Sequence, residues 1–389
     1  MRIAQLIFAA SRRRGGIFEF VCGLSREVLR AGGESRVFAI DDEHTEADRP
    51  RWLPVAPQVA RRLGPRALGL APGLVPLVLR EKLDLLHAHD LWTLQSLLTQ
   101  LWAARSGRPY VVSIHGMLNA WALGRSRVKK KIATVLYEGR RLRRAAALHT
   151  LGPHETQRVR AFGLDTPVAE IPYGIELPDL SSPAPPPFWE KDGGRPRVLL
   201  YLGRFDSIKG LDHVVRGWAR ARGASGASDW RLVLAGWGDG DYEARLRALA
   251  AAECPDGSIV FPGPLFGADR EAAFRGAQAC VLASLSEGQP VSVLEAMARA
   301  RPVLVTEACH LGAAVGAGAA LPIGPGDEGV HEALGRLFAT PAAVLEDMGR
   351  RGRRLVEATF SWPVVGRQFM DVYRWALDGG APPPCVARP

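Results

Sequence analysis

The chain has 389 residues, of which 47% are apolar and 23% are charged. This balance is typical of a globular protein and excludes a disordered chain, and the length predicts two or three domains. The net charge is +10, and most of it lies in the first 190 residues, which hold 27 Lys and Arg against 18 Asp and Glu. We therefore expect the first half to have an anionic partner or to lie against an anionic surface.

Cysteine usage and hydropathy predict a cytoplasmic protein. The five cysteines are scattered, without the paired spacing of a disulfide framework or a zinc site. No apolar run reaches the roughly 18–20 residues of a membrane span. The first apolar run, 3–10, precedes three arginines, whereas a signal peptide carries its charge first. The sequence leaves open whether the protein also attaches peripherally to the inner face of the plasma membrane.

Short apolar runs alternate with amphipathic stretches along the whole chain. In chain order, the predicted strands are residues 3–10, 36–40, 83–89, 110–115, 146–150, 168–172, 198–203, 231–235, 259–262, 280–283 and 302–306. This alternation predicts an α/β protein with two Rossmann-like, doubly wound parallel-sheet domains. Such sheets bind ligands at the carboxyl ends of their strands, so two facing sheets would form a central cleft.

Two strand ends in the first half carry candidate ligand-binding residues. Gly15 and Gly16 open a helix after strand 3–10, where glycine lets the backbone approach a ligand closely. His115 ends strand 110–115 at the same expected edge, although a lone histidine is more often a packed or surface residue. His87 and His89 could be metal ligands, but no further histidine or cysteine cluster completes a set, and we expect no metal.

The segment 125–144 is strongly basic, with nine Lys and Arg, one Glu and interleaved apolar residues. A basic amphipathic helix can lie on an anionic membrane. The alternative is a solvated helix face, and the sequence leaves both open. Nucleic acid is not an expected partner, because no recognition motif accompanies the charge.

A proline-rich stretch, 178–196, predicts an extended linker. We place the domain boundary there, which gives an N-terminal domain, 1–185, and a C-terminal domain, 186–361. The sequence leaves open whether the last helical pattern, about 362–380, packs back on the N-terminal domain. The proline-rich tail from residue 381 is expected to be loose.

Two loops in the second half carry the most informative residues. Arg204 and Lys209 follow strand 198–203 and could bind phosphate, unless the loop is a generic surface loop. After strand 280–283 the sequence reads SLSEGQPVSVLE (284–295), and the amides of the helix that begins there suit a diphosphate. Glu287 and Glu295 could accept hydrogen bonds from sugar and ribose hydroxyls. Alternatively, Glu287 only stabilises the helix start and Glu295 lies on a solvated face.

Taken in order, these motifs resemble those of the retaining glycosyltransferases of family 4, which have the GT-B fold. The resemblance covers nearly the whole chain and is most specific at the E-x7-E segment from Glu287 to Glu295 and at the loop from Arg204 to Lys209. Residues 116–123 and the basic residues after them are similar to the branch that builds bacterial surface polysaccharides. Tyr173 stands where asparagine is commoner in this family.

The resemblance implies a retaining, metal-independent hexosyltransferase that needs no cofactor. Its donor would be a UDP- or GDP-sugar, and its acceptor a lipid-linked molecule or an oligosaccharide in bacterial polysaccharide biosynthesis. The alternative is a non-catalytic nucleotide-sugar-binding module in a polysaccharide assembly complex. A nicotinamide-dependent dehydrogenase is disfavoured, because no G-x-G-x-x-G is present.

The resemblance also implies a role for each candidate residue. Arg204 and Lys209 would hold the diphosphate and stabilise it as it leaves. Glu287 would hold hydroxyls of the transferred sugar, Glu295 would hold the ribose, and His115 would lie against the donor sugar. The donor-binding residues that complete this set are Gly15, Gly16, Leu265, Gly288, Gln289, Pro290 and Val291, with Leu265 in the loop that would take the base.

Overall fold

A computed structural model describes the chain apart from residues 66–67, 120–125, 184–185, 191–195, 226–228, 239 and 388–389. The described residues form two compact units. The first unit comprises Met1–Gly174 together with Trp362–Pro389, and the second comprises Ile175–Ser361. The last helical pattern of the chain therefore belongs to the first unit, whereas the sequence left its place open.

The division between the units falls between Gly174 and Ile175, before the boundary of 185 that proline content suggested. Ile175 is buried in the core of the second unit, and its main-chain N–H donates to the carbonyl of Phe360 at 2.7 Å. Gly174 instead belongs with Trp362, whose ring a Cβ at position 174 would overlap at 2.2 Å. The chain therefore passes from the first unit to the second before the prolines begin. Proline content only marks the extended stretch that follows.

The first unit is built on one eight-stranded sheet. Numbered along the whole chain, its strands are β1 (Arg2–Ala9), β2 (Glu34–Ile40), β3 (Gln58–Ala60), β4 (Leu85–Ala88), β5 (Tyr110–Ser113), β6 (Ala147–Thr150), β7 (Val168–Glu170) and β14 (Val386–Ala387). The order across the sheet is β14-β7-β6-β5-β4-β1-β2-β3. Neighbouring strands are parallel, except that β14 runs antiparallel to β7. The tail that was expected to be loose thus ends as an edge strand, because β7 offers it an unpaired edge.

Helices cover the sheet of the first unit. They are α1 (Gly16–Arg30), α2 (Thr45–Asp48), α3 (Leu74–Arg80), α4 (Gln95–Ser106), α5 (Arg127–Ala133), α6 (Gly139–Arg144), α7 (Pro153–Ala161) and α15 (Trp362–Asp378). A π-helical segment, Thr134–Glu138, joins α5 to α6. Strands β4, β5 and β6 are buried along their whole length, as expected for parallel strands that are covered on both faces.

The second unit has a six-stranded, fully parallel sheet. Its strands are β8 (Arg197–Phe205), β9 (Trp230–Gly238), β10 (Ile259–Gly263), β11 (Ala279–Leu282), β12 (Val303–Thr306) and β13 (Ala320–Ile323). Its helices are α8 (Leu211–Ser225), α9 (Gly240–Glu253), α10 (Gly267–Gly276), α11 (Val291–Ala298), α12 (Gly312–Gly316), α13 (Gly326–Ala339) and α14 (Ala342–Leu355). The order across the sheet is β10-β9-β8-β11-β12-β13.

Both sheets follow the Rossmann order, in which the first strand lies between the second and the fourth. The order reverses between β1 and β4 in the first unit and between β8 and β11 in the second. In such sheets the crevice for a ligand opens at this switch point, beyond the carboxyl ends of the strands. Within the described part of the chain, no helix is both long and apolar enough to cross a membrane.

Candidate active site

The loops that follow β8 and β11 are in direct contact at the switch point of the second unit. The main-chain N–H of Leu285 donates to the carbonyl of Ile208 at 2.8 Å. Gly210 adopts a left-handed conformation with φ of 64°, and a Cβ there would lie 2.1 Å from the carbonyl oxygen of Ala283. Only glycine fits at this position, so close packing of the backbone holds the two loops together.

This contact brings Lys209 and Glu287 together although 78 residues separate them. Lys209 Nζ donates to Glu287 Oε1 at 2.5 Å, and Ser284 Oγ donates to the same oxygen at 2.7 Å. The carbonyl of Ser284 in turn accepts from Thr306 Oγ1 at 2.6 Å. The Glu287 side chain is only 9% exposed, so a cation and a hydroxyl hold the carboxylate in one orientation.

The carboxylate of Glu287 is oriented by Lys209 and Ser284 rather than by the first turn of α11. That helix begins at Val291 after Pro290, whose side chain makes no capping hydrogen bond. Its leading amides therefore face the loop that carries Glu287 and the exposed Gly288. The stabilisation of the helix start by Glu287 and the binding of a sugar hydroxyl by Glu287 both stay predictions. A helix start next to a lysine is a suitable site for an anion.

Arg204 adds a second cation at the end of β8. Its side chain is 61% exposed, and its Nη2 lies 3.3 Å from Asp206 Oδ2. Asp206 mainly orders the loop, because it accepts from the N–H of Ile208 at 3.1 Å. The hydroxyl of Tyr201 donates to the Arg204 carbonyl at 2.6 Å, and burial raises the pKa of this tyrosine, with the nearby charge of Glu287 contributing. The strand end is thus rigid while the guanidinium stays accessible.

Glu295 lies on α11, and its carboxylate forms an ion pair with Arg270 of α10. Four residues before Arg270, Phe266 is exposed, and its ring centroid lies 6.1 Å from that of Trp237. Leu265 is half-buried and packs against the core of the unit. In the loop that was expected to take a base, the side chain of Phe266 is therefore more exposed than that of Leu265.

In the first unit, Gly15 and Gly16 form the turn between β1 and α1. Gly15 has φ of 53° and ψ of −128°, a conformation that a residue with a Cβ rarely adopts. The preceding residue, Arg14, forms an ion pair with the buried Asp90, which follows β4. This ion pair thus connects the glycine turn to the switch point of its own sheet.

His115 follows β5 in the left-handed region, with φ of 49°, and both of its ring nitrogens have partners. Nδ1 lies 2.7 Å from the hydroxyl of Tyr173, and Nε2 lies 3.1 Å from Nδ1 of His89. His89 Nε2 lies 2.7 Å from Gln5 Oε1, which can only accept. The direction of each hydrogen bond therefore follows from the one before it. His89 Nε2–H donates to Gln5, His115 Nε2–H donates to His89 Nδ1, and the Tyr173 hydroxyl donates to His115 Nδ1.

His115 is consequently a neutral side chain with its proton on Nε2. Burial lowers the pKa of His115 well below its ordinary value, and the neighbouring His149, His87 and Arg14 lower it further. At neutral pH it can contribute ring surface and a carbonyl to a ligand, but not a positive charge. Its role in binding a donor stays a prediction.

The other strand-end histidines form a second buried chain of hydrogen bonds. Because His149 Nε2 must donate to the carbonyl of Ile171, its Nδ1 accepts from Ser113 Oγ at 2.6 Å. Ser113 then accepts from His87 Nε2, and His87 Nδ1 accepts from Tyr373, both at 2.7 Å. His87 and His89 therefore bind side chains, and the described residues contain no group of three His, Cys, Asp or Glu that could hold a metal ion.

Comparison with known proteins identifies both units. Residues 15–174 match the family model described as "Glycosyl transferase 4-like domain", and residues 196–340 match the one described as "Glycosyl transferases group 1". The chain therefore carries two glycosyltransferase domains. The first lies in the unit with His115, and the second contains Arg204, Lys209, Glu287 and Glu295.

Curated relatives of these glycosyltransferase domains include enzymes of different specificity. Glycogen synthase of Thermus thermophilus is 34% identical over 226 residues, which are 55% of this chain and 49% of the relative. D-inositol 3-phosphate glycosyltransferase of Pseudarthrobacter chlorophenolicus is 29% identical over 182 residues, which are 46% of this chain and 43% of the relative. The chain thus spans about half the length of the curated relatives that it matches.

Solved structures show that the glycosyltransferase domains form a GT-B fold. Sucrose-phosphate synthase from Thermosynechococcus elongatus matches with a TM-score of 0.73 and 20% identity, over 98% of this chain and all of the other. Anabaena HepE in complex with UDP and glucose matches with a TM-score of 0.75 and 17% identity, over 95% of this chain and 98% of the other. The fold class that the sequence predicted is confirmed.

Sequence reasoning missed the residues that hold the predicted ones in place. Ser284, Thr306 and Gly210 orient Glu287 and its loop, and Arg270 pairs with Glu295. Ser284 and Thr306 could have been found as polar residues at or directly after buried strands. The pairing of Arg270 has no comparable signal, because it depends on how α10 packs beside α11.

Proposed function

We propose that this protein is a retaining glycosyltransferase that moves a hexose from a UDP- or GDP-sugar to a lipid-linked or oligosaccharide acceptor in bacterial polysaccharide biosynthesis. The observation that carries the proposal is the Lys209–Glu287 pair beside the start of α11, at the switch point of the second unit. The family models and the UDP complex of a protein with the same fold support it.

The donor diphosphate would bind where positive charge converges. Lys209 supplies a point charge, the accessible guanidinium of Arg204 can form a two-pronged contact, and the amides of α11 supply a partial positive charge. Negative charge develops on the diphosphate as the glycosidic bond to it breaks. Fixed donors aimed at that charge stabilise the transition state more than the ground state. We propose on this basis that the reaction needs neither a metal nor a cofactor.

Glu287 would bind hydroxyls of the transferred sugar. Both of its described donors reach Oε1, and a carboxylate accepts hydrogen bonds through both oxygens. Oε2 is then the atom that would accept from the sugar. Glu295 would hold the ribose through the oxygens that Arg270 orients. Gly288, Gln289, Pro290 and Val291 would shape the backbone around the diphosphate.

The pairing of these carboxylates supports the retaining outcome that we propose. A glycosidase uses one free carboxyl group as an acid and another as a nucleophile or base. In this chain Glu287 is held by Lys209 and Glu295 by Arg270, so each carboxylate is neutralised by a cation. We propose substitution on the same face of the sugar, in which an oxygen of the departing diphosphate accepts the proton of the acceptor hydroxyl.

The proposal places the protein in the cytoplasm, in contact with the membrane when the acceptor is lipid-linked. Five free cysteines support a reducing compartment. Four of them, Cys22, Cys254, Cys280 and Cys309, are buried. The exposed basic helical segment supports the membrane contact.

Donor-dependent release of UDP or GDP tests the proposal, with Glu287→Gln as the decisive variant. The exchange removes the charge that orders Lys209 and the sugar, so we expect turnover to fall on the order of 10²-fold while nucleotide affinity changes little. Glu271→Gln is the matched control, because Glu271 is also a half-buried glutamate paired with an arginine, at 2.6 Å from Arg299. We expect the control to keep wild-type turnover.

The outcomes separate the proposed enzyme from the non-catalytic alternative. A chain that binds a nucleotide sugar in a thermal-shift panel but never releases the nucleotide would be a binding module. A chain whose stability responds to none of the UDP- or GDP-sugars would have no donor site. Normal turnover in the Glu287→Gln variant would remove the role given to that carboxylate.

A further inference from the structure

One helical surface of the first unit exposes a stripe of large apolar side chains. The continuous helix 127–144, from α5 through the π-helical segment to α6, carries Val128, Ile132, Val135 and Leu136, which are between 54% and 79% exposed. The spacing of four, three and one residues places them on one side of a helix. Single exposed apolar residues are common, but a periodic set of four marks an interaction surface.

The opposite side of this helix anchors it to the unit. Glu138 and Arg141 are fully buried and form an ion pair at 2.5 Å, and Glu138 also accepts from Ser96 Oγ of α4 at 2.7 Å. Leu142 is fully buried as well. The helix is therefore held in a fixed orientation, and the apolar stripe faces away from the core because the other side is already packed.

The exposed charge on this helix is entirely positive among the described residues. The exposed cationic side chains are Arg127, Lys129, Lys131, Arg140, Arg143 and Arg144. The single acidic residue of the segment, Glu138, is neutralised inside the unit by Arg141. The surface thus combines an apolar stripe with surrounding cations and no exposed carboxylate.

We propose that the surface of helix 127–144 docks on an anionic lipid bilayer. Val128, Ile132, Val135 and Leu136 enter the boundary between head groups and acyl chains, and the cations around them bind lipid phosphates. This combination of apolar and basic groups is what an interfacial helix needs. A second copy of the chain fits poorly, because its identical cations would repel, and a nucleic acid would leave the apolar stripe in water.

The proposal assigns the membrane contact of the proposed function to one defined surface, but its observations do not depend on that function. A lipid-linked acceptor would make the docking surface part of the same enzyme, since the lipid and the protein would meet at one bilayer. The surface argument uses only exposure, spacing and charge, so vesicle binding and sugar transfer can succeed or fail separately.

Co-sedimentation of the full chain with vesicles tests the proposal. We expect binding to vesicles of phosphatidylcholine and phosphatidylglycerol in equal parts, little binding to phosphatidylcholine alone, and weakening by salt. Lys129→Gln with Lys131→Gln removes two charges, each expected to weaken binding roughly fivefold. Val135→Gln with Leu136→Gln is expected to weaken it at least about tenfold, because both side chains lose their apolar insertion.

The control variant carries Leu97→Gln and Leu101→Gln, two exposed leucines on α4 outside the segment. We expect it to bind vesicles like the wild type. All three variants change exposed side chains and should keep the wild-type melting temperature, which is measured first. Nucleotide release from a donor and a water-soluble acceptor is measured alongside, and all variants are expected to retain it.

Three results would overturn the docking surface. The wild type could fail to sediment with anionic vesicles, or the α4 control could lose as much binding as the variants of helix 127–144. Alternatively, the wild type could be a dimer that Val135→Gln with Leu136→Gln converts to a monomer, which would assign the stripe to contact between copies. Loss of nucleotide release with intact vesicle binding would instead count against the transferase proposal alone.

Discussion

Acid should unfold the first unit, because it holds four neutral histidines, of which His87, His89 and His149 are buried and His115 is half-buried. Burial lowers the pKa of His149 to about 4 and those of His87, His89 and His115 well below the ordinary value. In the unfolded chain each histidine binds a proton near pH 6.5. The unfolded state thus binds more protons as the pH falls below this value, so the free energy of unfolding falls with it.

The size of this effect follows from proton linkage. At about pH 5, each histidine that stays neutral in the fold lowers the free energy of unfolding by about 2 kcal/mol relative to pH 8. Four such side chains together lower the free energy of unfolding by about 8 kcal/mol, which is comparable to the whole stability of a domain. The stability is fully present above about pH 6.5 and is lost as the pH falls towards the lowered pKa of His149, about 4.

Urea unfolding followed from pH 8 to pH 5 measures this dependence. The slope of unfolding free energy against pH gives the number of protons taken up, and we expect about four near pH 5. His149→Gln should reduce that number by one, while His44→Gln, at a half-exposed surface position, is the control. A stability that stays constant between pH 7 and pH 5 would contradict the buried, neutral arrangement.

Three further changes test other parts of the structure. Gly210→Ala should lower the melting temperature and weaken nucleotide binding, because a Cβ there meets a carbonyl at 2.1 Å, whereas Gly223→Ala, with open space around it, should be neutral or slightly stabilising. Equal melting temperatures would show that the loop contact is dispensable. Arg204→Ala should leave stability unchanged, because the side chain is exposed, and should raise the Kd for a nucleotide diphosphate about tenfold by calorimetry. In nitrogen NMR spectra, Tyr173→Phe should leave the proton of His115 on Nε2, because His89 and not Tyr173 accepts from that nitrogen, and should shift only the Nδ1 resonance. Tyr373→Phe, which removes the same kind of hydroxyl from His87, should shift neither resonance of His115. A proton on Nδ1 in the wild type would reverse the deduced direction.

Sequence patterns determined which elements form and which strand ends carry the candidate residues. Alternating apolar runs and amphipathic stretches identified eleven of the strands, because strand and helix periods are local properties of the chain. The strands that they missed, Gln58–Ala60, Ala320–Ile323 and Val386–Ala387, are short and lack a distinctive run. Arg204, Lys209 and Glu287 were found because parallel strands all place their following loops at one edge.

Only the tertiary structure decided what those residues contact. The pairing of Lys209 with Glu287 depends on Gly210 letting two backbones meet, and the pairing of Glu295 with Arg270 depends on neighbouring helices. Likewise, the sequence could not choose between a solvated and a docking face for helix 127–144. Contacts between residues far apart in the chain arise from packing, which local pattern does not encode. The sequence therefore determined the fold class and the positions of the candidate residues, and packing decided their partners, their protonation and the side of each helix that faces water.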